Sequence, residues 1–301
     1  MRTEKILFSL FFMTLILSSS NIFADQWQPE PKTIRVNNYD MTYVERGKGT
    51  PLILVHGGLS DYRIWLPLMV ELGETNRTIA VSLRHYYPEK WNGNGNDFSL
   101  QQHADDLAAF IKAMQLGKVE LLGHSRGGLV SMLVANQHPE LVDKLVLADP
   151  SPLKSMLSEN PRAKKQMEKR EAVIKETVER YLRGDPDGGL KMYVEYIAGP
   201  GAWEKTSDKR RGTLRDNSWT QLSHLNDYRN PFHCSNASSI SSPVLLITGE
   251  RSAAEYSFMH SALQSCLKKV NNALIADAGH MMFSANPTAF IFEVQEFIAP
   301  Q

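Results

Sequence analysis

Six short apolar runs, at residues 52–55, 78–81, 119–122, 145–147, 244–247 and 274–276, punctuate a chain whose intervening segments are amphipathic. A run that is apolar at nearly every position, rather than at every second one, is what a strand covered on both faces requires. These six therefore predict a parallel sheet between layers of helix. The helices show in the same pattern. Ala104, Leu107, Ala108, Ile111 and Met114 fall on one helical face, as do Phe290, Ile291, Val294, Phe297 and Ile298 near the end of the chain. Upstream, Ile34 and Val36 and then Met41 and Tyr43 alternate with polar residues around the turn Asn37-Asn38 and before Gly47-Lys48-Gly49, which predicts an antiparallel pair at one edge. The expected class is α/β, with a mostly parallel eight-stranded sheet and helices on both faces.

The strand signal stops between residues 151 and 232. Pro161 opens a charged segment whose apolar residues Ile174, Val178, Tyr181 and Leu182 make only a narrow stripe, and Gly184-Asp185-Pro186-Asp187-Gly188-Gly189 ends it. A second helix carries Leu190, Tyr193 and Ile197 up to Gly199-Pro200-Gly201, and a third is expected through Leu214, Trp219, Leu222 and Leu225. Residues 151–232 are read as a helical cap inserted after the sixth strand, with 25–150 and 233–301 forming the core. The basic triplet Lys209-Arg210-Arg211 is read as a solvated helix face, the alternative being a site for an anionic partner.

Charge removes one class of partner: with 33 acidic and 33 basic side chains there is no excess to attract nucleic acid. Arg2 and Lys5, the apolar stretch 6–17 and a polar segment ending at Ala24 read as a secretory signal cleaved after Ala24. A mostly apolar stretch of a dozen residues falls short of the ~20 that span a bilayer, so no stable membrane span is expected once the signal is removed. The mature protein should begin near Asp25 and be exported, periplasmic or secreted. In such an oxidising compartment Cys234 and Cys266 either pair as a disulfide or remain two small buried thiols, and neither has histidine at metal-ligand spacing.

Candidate chemistry concentrates in Gly123-His124-Ser125-Arg126-Gly127-Gly128, directly after the run 119–122. Small residues at 123, 127 and 128 let a strand turn sharply into a helix with the Ser125 hydroxyl projecting from the turn. A hydroxyl needs a base to take its proton, and His280, following Ala278-Gly279 beyond the last apolar run, is the candidate. Upstream, the run 52–55 enters His56-Gly57-Gly58. In this order of motifs, from about Thr33 to the end, the sequence resembles the α/β-hydrolases. The resemblance implies the α/β-hydrolase fold, Ser125 as nucleophile and His280 as base. It also implies an oxyanion hole from the backbone N–H groups of Gly58 and Arg126. The turn His124-Ser125-Arg126 is similar as well to that of epoxide hydrolases and dehalogenases, which carry aspartate where this chain has serine. A serine forms an acyl-enzyme with a carbonyl carbon, whereas an aspartate forms an alkyl ester.

The third member of such a triad departs from the commoner pattern. Many α/β-hydrolases place an aspartate three residues after the glycine that ends the seventh strand. Here that register reads Gly249-Glu250-Arg251-Ser252, and a serine cannot be the acid. Haloalkane dehalogenases and some serine hydrolases use the end of the sixth strand instead, where this chain has Asp149-Pro150. By that likeness Asp149 orients His280, with Glu255 and Glu250 as alternatives. His85 is read as a partly buried, hydrogen-bonded histidine, and Tyr181, Tyr193 and Tyr196 as lining or packing. The function these readings imply is an exported serine hydrolase acting on a small-molecule ester, with no metal or organic cofactor. A lactonase or C–C bond hydrolase would use the same serine and histidine. A ligand-binding homologue of slow turnover would keep them with little chemistry.

Overall fold

The computed structural model describes residues 27–224 and 232–300; the expected signal at 1–24 and Leu225 of the expected third cap helix lie outside the described residues. In chain order the first half comprises β1 (Lys32–Val36), β2 (Tyr39–Arg46), β3 (Pro51–Val55), α1 (Leu66–Leu72), β4 (Arg77–Val81), α2 (Leu100–Ala113), β5 (Val119–His124), α3 (Arg126–Gln137) and β6 (Val142–Ala148). Among the described residues six helices then intervene: α4 (Lys154–Leu157), α5 (Pro161–Leu182), α6 (Pro186–Ala198), α7 (Ala202–Lys205), α8 (Asp208–Asp216) and α9 (Gln221–His224). The chain finishes with α10 (Cys234–Ser239), β7 (Val244–Gly249), α11 (Ala254–Cys266), β8 (Val270–Ile275), α12 (Met282–Ala285) and α13 (Pro287–Ile298).

Among the described residues the eight strands form one sheet in the order β1-β2-β4-β3-β5-β6-β7-β8. β2 pairs antiparallel with β1 and β4, and every other pairing is parallel. Successive side chains of the inner strands go to opposite layers. Ile53, Val55, Leu121, Leu145, Leu147 and Leu246 pack with α2, α3 and α11 on one face, whereas Leu52, Leu54, Leu122, Val146 and Ile247 pack with α1 and α13 on the other. Burial on both faces is why these strands read as unbroken apolar runs rather than alternating ones. Cys234 and Cys266 form a disulfide, their Cα atoms 5.2 Å apart, joining the start of α10 to the end of α11. Closing a loop of this length contributes about 3 to 4 kcal/mol in the chain-entropy picture.

The helical insert between β6 and β7 has a smaller apolar cluster of its own, in which Tyr181, Leu190, Trp203 and Leu214 close over Leu59 of the loop after β3. One expectation fails here. The segment through Leu214 and Leu222 is not one helix, because α8 stops at Asp216 and a 3-10 turn at Ser218–Thr220 precedes α9. Asn217 breaks it: its Nδ2 donates to Thr213 O (2.9 Å) and to Asp61 Oδ2 (2.7 Å), and its Oδ1 accepts from Tyr87 N (2.8 Å). Those bonds tie the insert to the core and leave the backbone at Asn217 outside helical values.

Candidate active site

Strand register brings three chain segments side by side at one end of the sheet. His124 pairs with Ala148 and Ala148 with Ile247, so Ser125 and Asp149, which follow β5 and β6, stand at one level with Thr248 in β7. The exits are bonded across: Ser125 N donates to Ala148 O (3.0 Å), Asp149 N to Ile247 O (2.9 Å) and Ser151 N to Ser125 O (3.0 Å). Ser125 itself stands at φ 52° and ψ −118°, a conformation that L residues avoid and that the surroundings must enforce. Close packing enforces it. A Cβ on Gly123 would lie 2.4 Å from Gly127 O, and one on Gly127 2.3 Å from Val55 O, so only glycine lets α3 start this near β3 and β5.

His280 lies between β8 and α12, and its Nδ1–H donates to Asp149 Oδ2 at 3.3 Å. That bond leaves Nε2 as the ring's acceptor. Asp149 also accepts from Thr248 Oγ1 (2.7 Å, on Oδ1) and from Ser252 Oγ (2.5 Å, on Oδ2). The two glutamates are engaged elsewhere: Glu250 Oε2 accepts from Asp277 N at 2.9 Å, and Glu255 Oε1 accepts from the Tyr196 hydroxyl at 2.8 Å and sits 3.6 Å from Arg170 Nη1. The structure thus brings Asp149, and neither glutamate, to His280. Ser252 cannot act as the acid; its hydroxyl instead supports the carboxylate delivered by the neighbouring strand.

The imidazole is held between rings. Tyr256 stacks on it at a centroid distance of 4.1 Å, and the ring of His124 lies 4.4 Å away while its Nε2–H donates to His280 O (2.8 Å). Burial, with the positive charge of Arg170 behind it, pulls His280 well below the ordinary imidazole range, so the ring is neutral at pH 7. Burial pushes the Asp149 carboxyl up, to about 6, against the pull of the Ser252 and Thr248 hydroxyls. His56 is neutral too, lowered by burial to about 4, and its role is positional. Its Nδ1–H donates to Gly57 O (2.7 Å) and its Nε2 accepts from Leu83 N (3.0 Å), which fixes the loop carrying Gly58 against the end of β4.

Gly58, Ser125 and His280 line one cavity of about 530 Å³ between the strand ends and the insert, with Leu59, Ile64, Ile197 and Leu214 as part of its apolar wall. The Ser125 hydroxyl is bonded to Ser151 Oγ at 3.1 Å, a neighbour that the sequence motif did not point to. Arg126 begins α3, and its side chain packs on Phe98 and His103, 4.7 Å from the Phe98 ring centre. Of the three tyrosines, Tyr193 lines the cavity, Tyr181 packs inside the insert and Tyr196 is bonded to Glu255. His85 is half-buried between Glu89 and Asp97, each 2.8 Å from a ring nitrogen. Among the described residues no group of three His, Cys, Asp or Glu side chains could hold a metal ion.

The basic triplet is not a solvated face as a unit. Lys209 is exposed, and Arg211 lies over the Trp203 ring and donates to Trp203 O (2.8 Å), but Arg210 turns into the cavity beside Leu214. Ser207 caps α8 by accepting from Arg210 N (3.3 Å), and a helix started there puts positions 210 and 214, four apart, on the same inward side.

Residues 50–287 match the family described as alpha/beta hydrolase fold. The chain is 30% identical over 137 residues to Epoxide hydrolase 2 of Caenorhabditis elegans, covering 42% of this chain and 39% of that protein. It is 32% identical over 125 residues to an esterase of Mycobacterium tuberculosis, covering 41% of each. The chain spans about two-fifths of the length of these curated relatives. A solved carboxylesterase from Bacillus subtilis superposes with a TM-score of 0.71 over 93% of this chain and 95% of that one, at 17% identity, which is a likeness of fold.

Proposed function

Since the chain belongs to the α/β-hydrolase fold family, we propose that it is an esterase-like hydrolase that cleaves small-molecule carboxylic esters through an acyl-enzyme on Ser125. One observation supports this most: the Ser125 hydroxyl, on its strained turn, and His280, tied through Nδ1 to Asp149, face a single cavity that is apolar over most of its wall. In the proposed reaction the hydroxyl turns from Ser151 toward His280, its oxygen bonds to the ester carbonyl carbon and its proton passes to His280 Nε2. Backbone N–H groups of Gly58 and Arg126 hold the oxyanion, and the proton leaves with the alcohol. Water, deprotonated by the same nitrogen, then frees the acid and restores the serine. Asp149 keeps the imidazole in the tautomer that accepts at Nε2 and stabilises the imidazolium as it forms. A hydroxyl nucleophile favours a carbonyl carbon over an epoxide carbon, which argues for the esterase side of the family.

The decisive experiment is labelling with a fluorophosphonate followed by peptide mapping, together with turnover of a 4-nitrophenyl acyl ester. The label should sit on Ser125. Ser125→Ala should lose both label and turnover, the latter by at least about 10⁴-fold, with an unchanged melting temperature. A loss of only a few-fold would overturn the assignment. We also propose export, on the basic start, the apolar stretch and Ala24. Mass spectrometry of the exported fraction should find Asp25 as the first residue, and retention of residues 1–24 would refute it.

A further inference from the structure

Lys205 and Arg210, both from the insert, line the cavity that holds Ser125 and His280, and among the described residues no aspartate or glutamate does. Lys205 is exposed at the rim, whereas Arg210 is partly buried. Its side chain makes one hydrogen bond, from Nη1 to Leu59 O at 3.4 Å, and no ion pair with a described residue. Asp61 acts on it electrostatically, but that carboxylate is already taken: Arg63 grips it through Nε (2.8 Å) and Nη2 (2.7 Å), and Asn217 Nδ2 donates to it at 2.7 Å. The charge of Arg63 opposes what attraction is left. Arg210 therefore brings a guanidinium into a mostly apolar chamber without a carboxylate partner of its own. Withdrawing a cation from water without a counter-ion is unfavourable, and an anion entering the chamber would relieve it.

We propose that Arg210 binds a carboxylate carried on the substrate a few carbons from the scissile ester, so that the preferred substrates are anionic esters such as hemi-esters of dicarboxylic acids. The proposal rests on ester hydrolysis at Ser125. The reach of the site agrees with it. Arg210 lines the same cavity as His124, Ser125 and His280, which sets its guanidinium in the chamber that bears the Ser125 hydroxyl. Burial lowers the guanidinium to about 10, so it remains charged at pH 7. The planar fork suits a carboxylate, and a single inner cation in an apolar wall matches a single negative charge.

The test compares two esters of equal acyl length, mono-4-nitrophenyl glutarate and 4-nitrophenyl pentanoate, on the full mature chain. The wild type should favour the glutarate hemi-ester in kcat/KM. Arg210→Gln should lose roughly ten- to a hundredfold of that preference, the worth of a hydrogen bond to a charged group, mostly through KM, and Arg210→Lys should keep part of it. Equal losses on both esters, or no preference in the wild type, would overturn the proposal. If the wild type hydrolyses neither ester and takes no fluorophosphonate label, the hydrolase reading falls by itself. Calorimetric titration with glutarate then decides the Arg210 site: binding that weakens in Arg210→Gln upholds it, and no binding ends it.

Discussion

Leu54 in β3 and Leu190 in α6 are both fully buried, yet their surroundings differ in kind. Leu54 belongs to a continuous layer that runs from Val44 across the sheet to Ile298 in α13, so its neighbours are themselves pinned by strand pairing on one side and helices on the other. Leu190 belongs to a cluster that holds four other buried residues, and much of the insert's remaining attachment is polar: Asn217 to Asp61 and Tyr87, Arg63 to Asp216, Tyr196 to Glu255. The proposed catalytic groups stand on the first region, Ser125 and Asp149 at strand ends bonded to one another. Much of the chamber wall, Tyr193, Ile197, Arg210 and Leu214, comes from the second. Chemistry that tolerates little displacement is placed where packing over-determines the backbone, and recognition where the fold is easier to vary.

The largest expected effect tests the stiff side of that contrast. Asp149→Asn should keep the fold and substrate binding but lose on the order of 10⁴ in kcat, because the wrong imidazole tautomer is favoured. Glu250→Gln and Glu255→Gln should each cost less than about tenfold. Steady-state kinetics on the three variants would reverse the assignment if Asp149→Asn stayed active while either glutamate variant did not.

Stability separates the regions next. Leu54→Ala should cost about 3 to 5 kcal/mol in urea unfolding, since the layers on either side cannot close over the void, with KM unchanged for the molecules that remain folded. Leu190→Ala should cost nearer 2 kcal/mol and show itself as a raised KM with kcat kept, because the insert can settle into the gap and reshape the chamber. An equal loss of stability in the two variants, with KM unmoved in both, would erase the distinction.

The smallest effect is a shift in pH dependence. In the proposed mechanism Asp149 acts ionised, so kcat/KM should fall as pH drops through about 6. The Ser252 hydroxyl bonds to the ionised carboxylate and lowers its pKa; removing it in Ser252→Ala raises the pKa and should move the acid limb upward by about one pH unit. A limb that stays in place, or moves to lower pH, would show that Ser252 does not act through Asp149.

Features set by local rules were legible in the chain alone. A strand buried on both faces must be apolar at successive positions, so β3 to β7 announced themselves as runs. The turn at Ser125 needs glycine where backbones approach within van der Waals limits, so Gly123 and Gly127 marked it. His280 was found by its place after the last apolar run. Features set by which elements become neighbours were not legible. That Asp149 rather than Glu255 meets His280 was expected from the likeness to other hydrolases and not from the residues themselves; physically it depends on β6 lying between β5 and β7, and on Glu255 being drawn to Arg170 and Tyr196. The Ser252 and Ser151 hydroxyls became neighbours of Asp149 and Ser125 only when separate strand ends were aligned, and the two cysteines met only when α10 packed on α11. Arg210 reads in sequence like Lys209 and Arg211 beside it; the rotation of α8, set by Ser207 at its start and Asn217 at its end, is what turned one of the three inward. Periodicity and turn chemistry act over a few residues, whereas partner choice is decided by contacts between segments tens of residues apart, and for those the fold has to form first.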